Sequence, residues 1–321
     1  MRAFCFDRFT IPLPPGHRFP VSKSAMLREQ VEASCPDVQL FDSPPASDGE
    51  LALAHSPSYV HDAAQGLLSA AAMREIGLPW SPALIERARR SVGATVCAAR
   101  AALHDGVAAQ LAGGTHHAHA DHGAGFCVFN DTAVAARLMQ AEWHRRRRRS
   151  LRVLVVDLDV HQGDGTATIF ADDPTVFTLS LHGARNFPVR KACSDLDVEL
   201  PDGCNDAAYL DALDRALAAT WQCLADAPVG LAFYLAGADP HEGDRLGRLK
   251  LTDDGLLARD QRVLDALRER GIPVAITMAG GYGHDIGTTV AVHLRTIRSA
   301  VASFHAWATR PGLEHSMEQS A

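Results

Sequence analysis

Four ionisable side chains follow one apolar run in the middle of the chain. The segment VVDLDVHQGDG, residues 155–165, carries Asp157, Asp159, His161 and Asp164 within eight residues. Unpaired charges are costly to bury, so carboxylates at the end of a buried strand need water, hydrogen-bond donors or a cation. The pattern therefore predicts a metal site that takes its remaining ligand from elsewhere in the chain.

The residue types suggest which metal this would be. Asp159 and His161 are two residues apart, so on a strand their side chains would point to the same side. Asp239 follows another apolar run, VGLAFYLA (229–236), and is the predicted third ligand. Two aspartates and one histidine leave coordination positions open, which is typical of catalytic zinc. A mixed oxygen and nitrogen set also suits Fe²⁺, so zinc is the first prediction and iron the alternative.

A pair of adjacent histidines stands in a second motif. His116 and His117 belong to GGTHHAHADHGAGFCVFND, residues 113–131. Two neighbouring imidazolium rings would repel each other, so both rings need acceptors. Asp157 and Asp164 are available from the first motif, and each would hold one ring N–H and tune the basicity of the other nitrogen. We interpret the two remaining histidines of the motif as structural: His119 and His122.

A tyrosine completes the candidate chemistry. Tyr282 stands in MAGGYGHD, directly after the apolar run PVAITMA (273–279). Gly280 and Gly281 allow a tight turn there, so the phenol would be free to donate a hydrogen bond to a developing oxyanion. Most tyrosines are half-buried rings with a satisfied hydroxyl, and the catalytic interpretation rests on the neighbouring motifs.

Alternating apolar runs and amphipathic stretches predict the elements that position these side chains. Five runs indicate strands: 107–114, 151–157, 176–182, 229–236 and 273–279. Three stretches carry apolar residues at helical spacing: 83–103, 206–225 and 255–271. This alternation predicts an α/β fold with a mostly parallel sheet covered by helices on both faces. In such sheets ligands bind beyond the carboxyl ends of the strands, where nearly all the reactive side chains fall.

The composition, 47% hydrophobic and 21% charged residues in a chain of 321, is that of a soluble globular enzyme. The first residues include no apolar run of signal-peptide length and no apolar segment reaches 18 residues, so we expect neither secretion nor membrane spanning. Seven scattered cysteines without C-x-x-C spacing predict reduced thiols in a cytoplasm. A net charge of −7 makes nucleic acid an unlikely partner.

The ends of the chain and one basic run complete the organisation. HRRRRRS (144–150) is interpreted as a solvated helix end, because cations suit a helix C-terminus; the alternative is a contact with nucleic acid or an acidic partner. TIPLPPGHRFP (10–20) predicts a surface loop. Since no linker separates domains, we expect one catalytic domain over 1–310 and a polar tail over 311–321.

Together the motifs resemble the zinc-dependent histone deacetylase family, within the arginase/deacetylase fold. The resemblance rests on GGTHH…GFCVFND, VVDLDVHQGDGTA and GADPHEGDRLG, and it extends from GHRFP near residue 17 to GGY at 282. It is closest to the class IV and bacterial members. It implies an amidohydrolase that removes an acyl group from acyl-lysine, or from a related acylated amine, by metal-activated water.

The resemblance also implies roles for the matching residues. The zinc ligands would be Asp159, His161 and Asp239. The catalytic residues would be His117 as base and then acid, His116 assisting, Asp157 and Asp164 orienting them, and Tyr282 polarising the amide. The substrate tunnel would involve Gly125, Phe126, Phe187 and Leu246. An inner structural K⁺ or Na⁺ would use Asp157, Asp159, His161, Ser180 and Leu181, and a second one the backbone near Phe170, Asp173 and Val176.

Two positions depart from the family pattern and leave the substrate open. Gly77 stands about where many members place an aspartate that grips the substrate backbone, and Leu246 stands where polyamine deacetylases place a glutamate. A small acylated amine is therefore an alternative to a peptide, and the acyl length is not specified. Two other functions stay open: a catalytically silent acyl-binding protein, and a binuclear manganese ureohydrolase, which Gly163 and His241 disfavour because they replace carboxylates.

Overall fold

A computed structural model describes residues 1–226 and 228–309, so the predicted tail at 311–321 lies outside the described residues. The strands are β1 Arg2–Cys5, β2 Gln39–Asp42, β3 Val107–Gln110, β4 Val153–Asp157, β5 Val176–Gly183, β6 Leu196–Leu200, β7 Leu231–Leu235 and β8 Val274–Thr277. They form one sheet in the order β2-β1-β3-β8-β7-β4-β5-β6. Every strand pair is parallel, so the sheet is parallel throughout and not only mostly so.

Helices cover both faces of this sheet, as the alternation predicts. They are α1 Lys23–Ser34, α2 Asp48–Leu51, α3 Pro57–Gln65, α4 Ala70–Ile76, α5 Pro82–Asp105, α6 Asp131–Arg147, α7 Asp164–Phe170, α8 Asp206–Cys223, α9 Asp253–Glu269 and α10 Ile286–Ala308. Val153 and Val155 of β4 belong to the core that includes α5 and α6. Leu154 and Val156 belong to the opposite core, with α1, α8, α9 and α10. Because β4 faces a core on each side, apolar residues follow one another along it without polar interruption.

The prediction of the central elements is confirmed, while the sheet edges were missed. All five predicted strands and all three predicted helices are present; four of the strands are two to four residues shorter than predicted, and β5 is one residue longer. The missed strands are short ones toward the sheet edges, β1, β2 and β6, and residues of β2 and β6 are largely exposed or half-buried. The burial of β2 and β6 is too incomplete to leave an apolar run, and β1, although buried, has only four residues. All seven cysteines are free thiols, and among the described helices none combines the length and apolarity needed to cross a bilayer.

The strand order explains why distant motifs meet. The motifs with His116 and His117, with Tyr282, with Asp239 and with Asp159 follow β3, β8, β7 and β4 respectively. These four strands are consecutive neighbours in the sheet. Because they are parallel, their carboxyl ends lie at one edge, and the four motifs converge there.

Candidate active site

The three predicted metal ligands lie together beyond β4 and β7. The candidate ligand atoms of Asp159, His161 and Asp239 are within 4.8 Å of one another, and all three residues are buried. His161 Nδ1 lies 3.0 Å from Asp159 Oδ1 and 3.3 Å from Asp239 Oδ2. The predicted strand 151–157 ends where β4 ends, at Asp157, so Asp159 and His161 lie beyond the strand. There the chain turns, and the His161 backbone N–H donates to Asp159 Oδ1 at 2.9 Å.

The polar contacts of this group fit a bound cation. The Gly280 N–H donates to Asp159 Oδ2 at 2.7 Å, and the Val160 N–H donates to Asp239 Oδ1 at 2.9 Å. Asp239 Oδ2 is buried and has no hydrogen-bond partner among the described residues. Burial opposes a charge on His161, but the hydrogen bond to Asp159 and the attraction of both carboxylates outweigh it and raise the pKa of the imidazole to about 10. A divalent cation would replace that proton and complete the partners of both carboxylates.

Glycine backbone packs directly against these ligands. A Cβ on Gly280 would lie 1.9 Å from Asp239 Oδ2 and 2.6 Å from Asp159 Oδ2. A Cβ on Gly237 would lie 2.8 Å from the Asp159 Cα. The sequence predicts a tight turn at Gly280, and the structure shows in addition that its missing side chain makes room for the ligands.

An arginine holds the turns that carry the ligands, and sequence reasoning missed it. Arg259 of α9 is fully buried, and its Nη1 donates to the carbonyls of Gly237 at 2.5 Å and Leu158 at 3.4 Å. Its Nε and Nη2 donate to Asp260 at 2.9 and 2.8 Å. Leu158 precedes Asp159 and Gly237 lies two residues before Asp239, so one guanidinium fixes both ligand turns. Helical periodicity alone gives no signal for this contact.

The two histidines each face one carboxylate. His116 Nδ1 donates to Asp157 Oδ2 and His117 Nδ1 to Asp164 Oδ1, both at 2.6 Å, and the ring centroids are 4.1 Å apart. For His116, burial opposes the charge, but Asp157 and Asp159 outweigh it and raise the pKa to about 9. For His117, burial and the neighbouring charge of His116 lower the pKa to about 4. The pair thus separates into a cationic ring and a neutral one.

A buried carboxylate orders the segment before the histidine pair. Asp131 accepts hydrogen bonds from the backbone N–H groups of Gly114 and Thr115 at 2.9 and 2.8 Å. It also accepts from the Thr95 hydroxyl at 2.6 Å and the Gln110 amide at 3.0 Å. Hydrogen bonds to backbone donors are what make an unpaired buried carboxylate tolerable. Asp131 is the last residue of the motif GFCVFND, and this position is the only sequence signal for its role in ordering the segment before the histidines.

His55 closes the other side of the same motif. Its Nε2 accepts the Asn130 N–H at 2.9 Å, so Nδ1 is the donor to the His119 carbonyl at 2.8 Å. Burial lowers the pKa of His55 to about 4. Nothing in the sequence around His55 indicated this function. The histidines interpreted as structural, His119 and His122, stack with ring centroids 4.2 Å apart.

Tyr282 lies beside the metal group. Its ring centroid is 6.5 Å from that of His161 and 5.9 Å from that of Phe126. The Tyr282 backbone N–H donates to Asp244 Oδ2 at 2.6 Å, which fixes the segment after β8. Burial and the nearby carboxylates, Asp159 first, raise the pKa of the phenol well above its usual range. The hydroxyl therefore stays protonated and can serve as a donor.

A cavity of about 110 Å³ leads to these groups. Its wall includes the predicted Gly125 and Phe126 together with His117 and Tyr282. Phe187 lies at the opening, where its ring packs edge-on against His117 at 4.8 Å and is 42% exposed. We call the opening between Phe126, Phe187 and Tyr282 the mouth. Two of the predicted tunnel residues, Phe187 and Leu246, are outside the cavity wall. Leu246 lies near Phe187, because the neighbouring Asn186 donates to the Leu246 carbonyl at 2.8 Å.

The predicted surface loop at 10–20 also contributes to the cavity. It contains no helix or strand and much of it is exposed, as predicted, but Ile11 and Phe19 line the cavity. Lys23 and Arg87 line it as well, and Lys23 Nζ donates to the Ala279 carbonyl at 2.9 Å. Burial lowers the pKa of Lys23 to about 8, although nearby carboxylates oppose the shift. Apolar loop residues signal such a lining only once the fold places them.

The predicted monovalent cation residues occupy two places. Asp157 of β4 and Ser180 of β5 are register partners, next to the metal group. The second set forms a tight turn in which the Asp173 N–H donates to the Phe170 carbonyl at 2.9 Å and the Val176 N–H to the Asp173 carbonyl at 3.2 Å. Binding of K⁺ or Na⁺ at either place stays a prediction.

Comparison with known proteins shows the family. Residues 17–297 match the histone deacetylase domain. The chain belongs to the histone deacetylase family. It is 43% identical over 294 residues to an uncharacterized protein of Picosynechococcus sp.. This alignment covers 91% of this chain and 95% of that protein. It is also 29% identical over 317 residues to the histone deacetylase-like amidohydrolase of Pseudomonas aeruginosa, covering 90% of this chain and 80% of that protein.

The fold is that of histone deacetylase structures. A crystal structure of a histone deacetylase homolog from Aquifex aeolicus superimposes with a TM-score of 0.75 at 23% identity, covering 94% of this chain and 84% of that chain. The predicted arginase/deacetylase fold is confirmed, and the family match supports a deacetylase-type amidohydrolase. The more specific assignment of this chain to class IV within the family stays a prediction.

Proposed function

We propose that this protein is a zinc-dependent amidohydrolase that removes an acyl group from acyl-lysine or a related acylated amine. One observation carries the proposal: a three-residue group able to hold a metal, a histidine held by an aspartate, and a protonated tyrosine converge beside one cavity. Membership of the histone deacetylase family supports the same reaction.

Asp159, His161 and Asp239 would hold the metal. Zinc is favoured over Fe²⁺ as the first choice because three protein ligands with open positions are typical of catalytic zinc. When bound, the metal would lower the pKa of a water molecule and polarise the amide carbonyl. The Arg259 contacts and the gap at Gly280 keep the two carboxylates in place before the metal arrives.

His117 is the proposed proton carrier. Asp164 Oδ1 accepts a hydrogen bond from the His117 Nδ1–H at 2.6 Å, so in the neutral ring the other nitrogen, Nε2, carries no proton. With its pKa lowered to about 4, His117 is neutral before reaction and is ready to accept a proton. It would then donate this proton to the leaving amine nitrogen. His116, held by Asp157, would assist by its positive charge beside the reacting groups.

Tyr282 is the proposed oxyanion donor, and the aromatic residues control access. A phenol whose pKa is raised retains its proton and can donate to the substrate oxygen as negative charge develops there. Phe126 and Phe187 would enclose the aliphatic part of the acylated side chain and exclude water. The acyl group would enter the inner part of the cavity, where Phe6, Ile11 and Leu84 provide an apolar wall.

The test is turnover of a panel of fluorogenic acyl-lysines, from formyl to myristoyl, together with acetylpolyamines. The zinc-loaded protein should hydrolyse one acyl class. In Tyr282→Phe, kcat should fall by roughly 100-fold or more, because an oxyanion donor is worth about that factor. Zinc content should be unchanged, because Tyr282 is not among the proposed ligands.

Tyr209→Phe is the matched control, since Tyr209 is a buried tyrosine of α8 outside the cavity wall. Its turnover should equal that of the wild type. Absence of hydrolysis across the whole panel would remove the proposal and favour a binding protein on the same fold. Two manganese ions per chain in metal analysis would favour the ureohydrolase alternative instead.

A further inference from the structure

Two exposed arginines flank the mouth of the cavity. Arg245 Nε donates to the Tyr282 carbonyl at 2.8 Å, and its Nη2 donates to the Arg18 carbonyl at 3.4 Å. Its backbone N–H also points to the Tyr282 carbonyl, at 3.4 Å. Both arginines are exposed. Arg245 is therefore fixed beside Tyr282, and it connects this residue to the segment that carries Arg18.

Arg18 stands between two rings that border the mouth. The rings of His17 and Phe19 pack against Phe126 with centroid distances of 5.9 and 5.7 Å. Phe126 in turn lines the cavity. Among the described residues, Arg18 is exposed and makes no side-chain hydrogen bond or ion pair, so no protein group occupies its guanidinium.

Neither arginine has a carboxylate partner within the described residues, as is also true of other exposed arginines such as Arg74 and Arg298. Within the described residues, no carboxylate oxygen lies within 4.0 Å of Arg18 or Arg245, whereas Arg262, for example, pairs with Asp214 at 3.0 Å. Two exposed acidic residues stand near these positions in the sequence, Glu75 before Gly77 and Glu242 before Arg245. Neither forms an ion pair with Arg18 or Arg245. The charge of the arginines is thus not neutralised within the protein.

The two positions where carboxylates were expected are uncharged. His17 Nε2 lies 3.0 Å from the Gly77 carbonyl, and Asn186, next to Phe187, donates to the Leu246 carbonyl at 2.8 Å. Both contacts place Gly77 and Leu246 beside the mouth. Neither position therefore offers a carboxylate to a cationic substrate.

We infer that the mouth selects acylated amines that carry a carboxylate or another anionic group close to the scissile amide, and that Arg18 and Arg245 determine this selection. The inference rests on the proposed function, because it concerns the amine side of the same substrate. Charge complementarity around a binding site acts on encounter and on discrimination between partners. Lysine-rich peptides and polyamines are disfavoured for the same reason.

The test compares two peptides with one central acyl-lysine, flanked by glutamates or by lysines, with a glutamine-flanked peptide as reference. The acyl group is the one that the panel above identifies. At low salt, kcat/KM for the glutamate-flanked peptide should exceed that for the lysine-flanked one by roughly 10-fold, since each exposed ion pair contributes about 1.4- to 5-fold. The preference should shrink to about 2-fold at 0.5 M salt, where charges are screened within a few ångströms.

Variants assign the preference to residues. Arg18→Gln and Arg245→Gln should each lower the glutamate-to-lysine ratio by roughly 2- to 4-fold, mainly through KM. Arg245→Lys should restore most of it, because the charge is kept. Arg145→Gln is the control, because Arg145 is an exposed arginine near the C-terminus of α6, at the opposite end of the sheet from the site. It should leave the ratio unchanged.

Equal kcat/KM for the two peptides, or a preference for lysine, would overturn the inference while leaving the deacylase proposal intact. A binding measurement separates the two claims: the Kd values of the labelled peptides for Tyr282→Phe do not depend on turnover. Tighter binding of the glutamate-flanked peptide without any hydrolysis by the wild type would support the selection and remove the proposed reaction. Equal Kd values would remove the selection.

Discussion

Replacing Gly280 by alanine tests whether the backbone after β8 sets the geometry of the metal group. The added Cβ would lie 1.9 Å from Asp239 Oδ2, and real Cβ contacts stay beyond 3.0 Å. The carboxylate or the backbone must therefore move by at least 1.1 Å. Movement of the backbone also lengthens the hydrogen bond from the Gly280 N–H to Asp159 Oδ2, which is 2.7 Å. Either relaxation separates the proposed ligands.

The expected magnitude follows from this displacement. Metal ligands tolerate errors of about 0.2 Å, and a misplacement of about 1 Å near a reacting group costs roughly 100-fold in rate. We therefore expect Gly280→Ala to lower kcat/KM by at least about 100-fold, or about 2.7 kcal/mol. Zinc affinity should fall by about 10- to 100-fold. The overpacking should cost about 1 to 3 kcal/mol of folding free energy.

Three measurements check the prediction on one protein preparation. Zinc affinity is measured by competition with a chelator, turnover with the best substrate of the panel, and stability by urea unfolding of the metal-free protein. Gly49→Ala is the control, since a Cβ on Gly49 in α2 would meet nothing within 4 Å. Wild-type zinc affinity and turnover in a folded Gly280→Ala would refute the reasoning that the missing side chain makes room for the ligands.

Two further predictions concern buried groups behind the site. Arg259→Gln leaves Asp260 without its buried cation and releases the carbonyls of Leu158 and Gly237. We expect the free energy of unfolding in urea to fall by about 3 to 5 kcal/mol and zinc to bind more weakly to the folded fraction. Unchanged zinc affinity would contradict the positioning role of Arg259. The pKa of His55 is about 4 in the folded protein and about 6.5 in the unfolded chain. Its neutral ring therefore contributes fully to the folding free energy above pH 6.5. This contribution, on the order of 3 kcal/mol, is lost as the pH falls toward 4. Urea unfolding between pH 7.5 and 4.5 should therefore show a pH slope about one proton smaller in His55→Gln, and equal slopes would count against it.

The central strands and the reactive motifs were predictable from the sequence because their signals are local. Strands such as β4 and β7 are buried on both faces, so they read as apolar runs, and polar residues mark the point where each run ends. A parallel sheet then places those ends at one edge without further information. For this reason the sequence alone predicts that Asp159, His161 and Asp239 meet, and they do.

The contacts that hold the site were decided only by the tertiary structure. His55 lies 75 residues before Asn130, and Arg259 lies 101 residues after Leu158, so no periodicity or spacing connects these pairs. The apolar lining from residues 10–20 likewise depends on where that loop packs. A residue pattern along the chain specifies which segments form strands and helices, whereas the partner of a buried polar group is set by which segments the core brings together. The sequence alone therefore determined the reacting groups and the elements that carry them, and only the packed fold determined what orients them.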